Sequence, residues 1–106
     1  MLCPVTPGPA FPHETRAWEE RELIIDGRAV RYGDQFHWAG LATLCCLPST
    51  ALPAGFSPDG MPVGLQAIGP FLEDRTPIRF AELVEREFGG FVTPPSYAVH
   101  RAKIPA

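Results

Sequence analysis

Lysine is nearly absent from this sequence. Of its nine basic side chains, Lys103 is the one lysine, and the others are arginines scattered along the chain. The formal net charge is −3, so no basic stripe is present for a phosphate backbone to bind. We therefore expect no nucleic-acid partner.

Long hydrophobic runs are also missing. No apolar stretch approaches the roughly 18 residues that a membrane-spanning helix needs. Residues 1–7 lack the basic region followed by an apolar region that a secretory signal requires. We therefore expect a cytoplasmic protein with no membrane partner.

The sequence has few cysteines, and their spacing is uninformative for metal binding. There are three, of which Cys45 and Cys46 are adjacent, and a disulfide between neighbours is strained. No CxxC spacing or histidine cluster indicates a zinc site. We expect no metal and no cofactor, and we interpret Cys3, Cys45 and Cys46 as buried thiols that pack as small hydrophobic side chains.

What the sequence does contain is typical of a small α/β protein, or α+β as an isolated piece. The 106 residues are 45% hydrophobic, and 13 prolines and 10 glycines mark turns and element boundaries. We interpret residues 1–106 as a single partial domain, with an irregular Pro-rich segment at 1–20 and an irregular tail at 93–106. Within the first segment, residues 2–5 look like the end of a buried strand.

Two hairpins are predicted from turn chemistry. In the first, residues 22–25 and 28–32 flank Asp26-Gly27, a two-residue loop that suits a type I′ turn because both positions need positive φ. In the second, two apolar runs at roughly residues 50–69 flank the turn Ser57-Pro58-Asp59-Gly60.

Two helices are predicted from apolar spacing and capping residues. The first runs from Gln35 to Leu44 with Asp34 as its cap, and it is apolar around nearly its whole circumference. A chain this short has little material to bury such a helix, so we expect a covering partner. The second runs from Arg75 to about Phe88, is capped by Asp74, and ends at Gly89-Gly90.

No catalytic group is predicted from spacing. Ser49, Ser57 and Ser96 do not lie in a G-x-S-x-G turn, and nothing pairs a histidine with any of them. We interpret the serines as turn or edge hydroxyls, and the glutamate clusters at 19–22 and 82–87 as solvated faces.

The order of motifs resembles that of the amidase signature family. The motifs are residues 32–44, Leu47-Pro48, the hairpin with Gly60-Met61-Pro62-Val63-Gly64-Leu65-Gln66, the acid-capped second helix, and Gly90-Phe91-x-x-Pro94-Pro95. The resemblance implies the last strands and helices of a mixed sheet between helices. Pro62, Gly64, Leu65 and Gln66 would be its structural motif.

The resemblance implies hydrolysis of carboxylic amides by a Ser-Ser-Lys set, yet this sequence has no Gly-Ser-Ser segment, and its one lysine lies in the tail. No catalytic residue carries over. The resemblance does imply that Asp34, Gln35, Phe36 and Trp38 form part of a pocket wall, with plain core packing of Phe36 and Trp38 as the competing interpretation. Relatives often have Asn and Gly where this chain has Thr43 and Cys46.

Three interpretations stay open. The chain is the C-terminal portion of an amidase, inactive alone and completed by the missing N-terminal portion. Alternatively, it is a stand-alone structural or oligomerisation module derived from the same fold, which associates with itself. A truncated gene product is biochemically close to the first interpretation.

Overall fold

The computed structural model describes residues 1–95 and Tyr97, and it has an α/β architecture of short strands and two α-helices. Short 3₁₀ segments occupy Trp18–Glu20 and Tyr32–Phe36. The strands are β1 (Leu2–Pro4), β2 (Glu22–Ile25), β3 (Arg28–Arg31), β4 (Ser49–Phe56) and β5 (Pro62–Ile68), and the helices are α1 (His37–Leu44) and α2 (Arg75–Phe88). The predicted fold class is confirmed.

The β2–β3 hairpin forms with the predicted turn. Asp26 and Gly27 have φ of 51° and 73°, as a type I′ turn requires. Leu23 pairs with Val30, and Leu23 is buried. The two strands form their own two-stranded sheet.

The second sheet has β5 in the centre, between β1 and β4, and all its pairs are antiparallel. Gln66 of β5 lies opposite Cys3 on one side and Ala51 on the other. β5 is buried in its last three residues, Gln66 to Ile68. The predicted strand end near the N-terminus is therefore an edge strand of this sheet.

The predicted cap Asp34 is wrong, and the predicted cap Asp74 is right in position only. Asp34 lies inside the 3₁₀ segment, where Arg31 Nη2 donates to its carboxylate at 3.1 Å, and α1 begins at His37 instead of Gln35. Asp74 stands at the cap position of α2 but has helical φ and ψ and makes no side-chain cap bond. A capping side chain needs an extended backbone to reach the next amides, and neither helix start provides one.

The end of α1 is a Schellman motif built on a non-glycine residue. The amide of Leu47 donates to Ala42 O at 3.0 Å, and the amide of Cys46 donates to Thr43 O at 3.3 Å. Cys46 has φ of 51°, the left-handed conformation that glycine normally supplies here. This turn leaves both Cys45 and Cys46 exposed, so the expectation of buried thiols holds for Cys3 and is wrong for the other two.

The core is small and joins β1, α1 and β5. Cys3, Ala42 and Ile68 form the buried cluster, and Trp38, Leu41 and Leu47 pack against it. α2 packs on the same sheet through buried Pro77. Gly69 faces that proline so closely that an added Cβ would lie 2.7 Å from Pro77 Cδ.

Neither helix of the described residues is long and apolar enough to cross a membrane. The predicted cytoplasmic location stays a prediction. Most of the tail predicted to be irregular lies outside the described residues. Of the part that is described, Thr93 and Pro94 have no regular secondary structure, whereas Pro95 and Tyr97 are helical and the amide of Tyr97 donates to Pro94 O at 2.9 Å.

Candidate functional site

The first half of the predicted pocket wall is held by local contacts. Asp34 accepts the bond from Arg31, and both side chains are exposed. Gln35 Nε2 donates to the carbonyl of Tyr32 at 3.0 Å. These bonds fix the short 3₁₀ turn and leave Asp34 and Gln35 facing their own segment.

The second half of that segment divides between two clusters. The ring of Phe36 stacks on Trp18 with centroids 6.0 Å apart, whereas Trp38 packs against the core of Cys3, Ala42 and Ile68. The four side chains therefore take part in four separate contacts and do not converge. Their role as a pocket wall stays a prediction. For Trp38, the structure shows packing against the core.

An aromatic cluster links the proline-rich segment to the 3₁₀ turn. Tyr32 makes edge contacts with Trp18 at 4.7 Å and with Phe11 at 5.9 Å between ring centroids. The guanidinium of Arg21 lies 5.4 Å from the Tyr32 ring centroid. Trp18, which is 48% exposed, thus covers one side of the turn that precedes α1.

Gln66 is the polar centre of the molecule. Its side chain is 5% exposed, and Nε2 donates at 2.9 Å to the carbonyl of Pro4 and at 2.9 Å to the carbonyl of Trp38. Oε1 accepts from Ser49 Oγ at 2.8 Å. Because a buried amide needs partners for its polar atoms, this one residue of β5 fixes the positions of β1, α1 and β4.

The rest of the predicted structural motif lies on the same strand. Leu65 pairs with Leu52 on one side and Pro4 on the other. A Cβ at Gly64 would lie 3.3 Å from the carbonyl oxygen of Leu52, which makes this a close approach between backbones. Pro62 begins β5 opposite Phe56.

The described serines are structural. Ser49 donates to Gln66, and Ser57 Oγ accepts from the amide of Met61 at 3.2 Å in the β4–β5 turn. Within residues 1–95 and Tyr97, neither hydroxyl is hydrogen bonded to a histidine, a lysine or a carboxylate, and no three side chains are grouped as metal ligands. Ser96, His100 and Lys103 lie outside the described residues.

Comparison with known families identifies the family to which this chain belongs. The family model described as Amidase matches residues 1–77, which include β1, the Gln66 site and the start of α2. The chain belongs to the amidase family. The resemblance to the amidase signature family, based on the order of its motifs, is thereby confirmed.

Curated relatives of this amidase-family chain are much longer proteins. The A subunit of glutamyl-tRNA(Gln) amidotransferase from Xanthobacter autotrophicus is 36% identical over 91 residues, which are 86% of this chain and 17% of the relative. Its counterpart from Ralstonia pickettii is 34% identical over 84 residues, 79% of this chain and 16% of the relative. The one from Allorhizobium ampelinum is 32% identical over 91 residues, with coverage of 86% and 17%. The chain thus spans about a sixth of the length of these relatives.

The amidase-family chain leaves much apolar surface in contact with solvent. No large side chain among the described residues is fully buried. Leu44 of α1 is 85% exposed, and Phe88 of α2 is 83% exposed. The helix α1, predicted to be buried on most sides, has one buried residue, Ala42.

Acidic side chains of this chain form ion pairs at the surface. Arg16 holds the pKa of the Glu14 carboxyl down at about 2 by donating to it. Arg79, followed by Arg86, lowers the pKa of Glu82 on the exposed side of α2. Both are solvent-accessible ion pairs rather than buried acid–base pairs.

Proposed function

We propose that this chain is the C-terminal scaffold of an amidase that hydrolyses carboxylic amides, and that it does not hydrolyse them alone. It contributes a three-stranded sheet, a two-stranded hairpin, two helices and a stretch of pocket wall formed by Asp34, Gln35, Phe36 and Trp38. Its family membership supports the reaction class. The use of both described serines in structural hydrogen bonds supports inactivity of the isolated chain.

The observation that carries this proposal concerns α1, whose sequence is apolar around nearly its whole circumference and which leaves part of that apolar surface exposed. Trp38, Leu41 and Ala42 of α1 face the core, while Leu44 at its end is 85% exposed. Soluble monomers rarely leave extended apolar patches open. The N-terminal portion of an amidase is the partner that would cover α1 and supply the nucleophile and the base.

Hydrolysis assays on the purified chain test its inactivity. We expect no release of ammonia from a panel of primary carboxylic amides above the buffer rate. The matched variants are Ser49→Ala and Ser57→Ala, because both residues are structural in this account. Hydrolysis by the parent chain that disappears in Ser49→Ala and persists in Ser57→Ala would overturn the proposal.

The second candidate is a stand-alone oligomerisation module, which the same exposed side chains of α1 and α2 favour. Light scattering coupled to gel filtration separates the two candidates. The scaffold proposal expects a monomer that binds an apolar dye through its uncovered surface. A stable dimer or larger oligomer with little dye binding would favour the module, because its copies would cover each other's apolar helices.

A further inference from the structure

Two aspartate–glycine pairs occupy the two hairpin turns. Asp26-Gly27 joins β2 to β3, and Asp59-Gly60 lies between β4 and β5. All four residues are exposed, and both glycines have positive φ, 73° at Gly27 and 77° at Gly60. The two pairs are therefore alike in composition and exposure, and they differ in the hydrogen bonds of their backbone.

The turn at Asp59-Gly60 is closed by hydrogen bonds of its own. The amide of Gly60 donates to Ser57 O at 2.9 Å, and the amide of Ser57 donates to Met61 O at 2.8 Å. Ser57 Oγ accepts from the amide of Met61 at 3.2 Å. The strands on either side belong to the three-stranded sheet, so the Gly60 nitrogen is held in place by its turn.

The amide of Gly27 differs from that of Gly60. Within residues 1–95 and Tyr97, it donates no hydrogen bond. In a two-residue hairpin loop the ladder bonds join the flanking residues, here Ile25 and Arg28, and leave the second loop residue outside the ladder. β2 and β3 form a two-stranded sheet of their own, and such a hairpin opens locally at low cost in free energy.

We propose that Asp26 is a site of spontaneous aspartyl isomerisation and that the turn of Asp59 protects it from the same reaction. With the Asp26 carboxyl protonated, the Gly27 nitrogen bonds to Cγ. One carboxyl oxygen leaves as water with the carboxyl proton and the amide proton, and a succinimide ring results. Water then adds to either ring carbonyl, which gives aspartate or isoaspartate, so the net reaction consumes no co-reactant. Glycine favours this step because it has no side chain to obstruct the ring.

The product changes the turn that fixes the hairpin. Isoaspartate carries the main chain through the side-chain carboxyl, which adds one carbon between Asp26 and Gly27. The pairing of β2 with β3 depends on a two-residue loop with positive φ at both positions. A longer loop loses this fit, and we expect buried Leu23 of β2 to gain exposure. The inference goes beyond the proposed amidase scaffold and does not depend on it.

The test measures isomerisation of both aspartates in one sample of the full chain. Trypsin releases residues 22–28, in which Asp26 is the one aspartate, and chymotrypsin releases residues 57–65, in which Asp59 is. A protein isoaspartate methyltransferase labels isoaspartate in each peptide, and mass spectrometry counts the methyl groups. Each rate in buffer is divided by the rate of the same aspartate in guanidinium chloride, which removes the influence of the neighbouring sequence.

We expect this folded-to-unfolded ratio to be about tenfold higher for Asp26 than for Asp59, the effect of breaking the Gly60 hydrogen bond. Asp26→Asn and Asp59→Asn are a matched pair, because asparagine forms the same ring by loss of ammonia and also tolerates positive φ. Their ratios should differ in the same direction. Equal ratios for the two aspartates, or a higher ratio for Asp59, would overturn the proposal. If circular dichroism shows that either variant loses the parent spectrum, the unsubstituted chain decides by the same ratio.

Discussion

The side-chain amide of Gln66 donates a hydrogen bond of 2.9 Å to the backbone carbonyl of Trp38 and thereby ties the central strand to α1. The same nitrogen donates to Pro4 on the edge strand, and the amide oxygen accepts from Ser49. One buried side chain thus joins four segments that are distant in sequence. The segment that would form the pocket wall is attached to the sheet through this bond.

Replacing Gln66 with leucine removes all three bonds at nearly constant volume. We expect Gln66→Leu to lower the free energy of unfolding by about 3 kcal/mol, because the partly buried carbonyls of Pro4 and Trp38 and the Ser49 hydroxyl lose their partner. Urea unfolding followed by circular dichroism measures the loss. Gln35→Leu is the matched control, since Gln35 makes one local bond to Tyr32 and should cost less than about 1 kcal/mol. Equal losses in the two variants would contradict the central role of Gln66.

Cys46 has a left-handed backbone conformation, which is less favourable for a residue with a side chain than for glycine. Replacing it with glycine should raise the free energy of unfolding by about 1 kcal/mol, because the left-handed conformation at the end of a helix is unstrained for glycine. Cys45→Gly should have the opposite sign, since Cys45 has a negative φ of −95° and gains only backbone freedom in the unfolded state. Thermal unfolding of both variants checks the two signs. Destabilisation by Cys46→Gly would contradict the Schellman geometry.

Gly69 permits the close approach of α2 to the end of β5. A Cβ there would lie 2.7 Å from Pro77 Cδ, in a rigid ring that is buried, so Gly69→Ala should cost about 1–3 kcal/mol by displacing the helix. Gly40→Ala is the control, because a Cβ at Gly40 in α1 would meet nothing within 4 Å. There we expect a gain of up to about 1 kcal/mol from helix propensity. Similar stability changes in both variants, measured by urea unfolding, would contradict the contact.

The ion pairs of α2 give its stability a pH dependence of defined sign. Arg79 and then Arg86 lower the pKa of the Glu82 carboxyl in the folded chain. The stabilisation is therefore complete above the unfolded pKa of the carboxyl and is lost as the pH falls through the lower folded pKa. Since the pair is exposed, the effect should be small and should weaken with added salt.

A pH series of urea unfolding tests this for Glu82→Gln against the parent chain. We expect the difference in free energy of unfolding between the parent chain and Glu82→Gln to shrink as the solution becomes acidic. When both chains also carry Arg79→Ala, this difference should be smaller than it is with Arg79 present. A difference that grows toward acid pH, or that Arg79→Ala leaves unchanged, would show that Glu82 acts in another way.

The features that the sequence predicted correctly depend on neighbouring residues. The turn at Asp26-Gly27 follows from the positive φ of both positions, and the pairing of β2 with β3 follows from the loop length. α2 runs from Arg75 to Phe88 as its apolar spacing and Gly89 indicate. The motif order also identified the family, which the match over residues 1–77 confirmed.

What local patterns could not decide is which distant segments meet. An aspartate before a helix is a good cap by type, but Asp34 is paired with Arg31 inside a 3₁₀ turn. Paired cysteines beside apolar residues suggest burial, yet the reversal at Cys46 turns both outward. Gln66 was identifiable as part of a motif, but its three partners come from residues 17 to 62 positions away.

The sequence by itself determined the local elements and their turns, because each depends on backbone preferences within a short window, and it determined the family through the order of motifs along the chain. Only the tertiary structure decided that Gln66 joins β1, α1 and β4. The physical reason is that burial and hydrogen-bond partners belong to the packed chain, and no residue acquires them until distant segments are brought into contact.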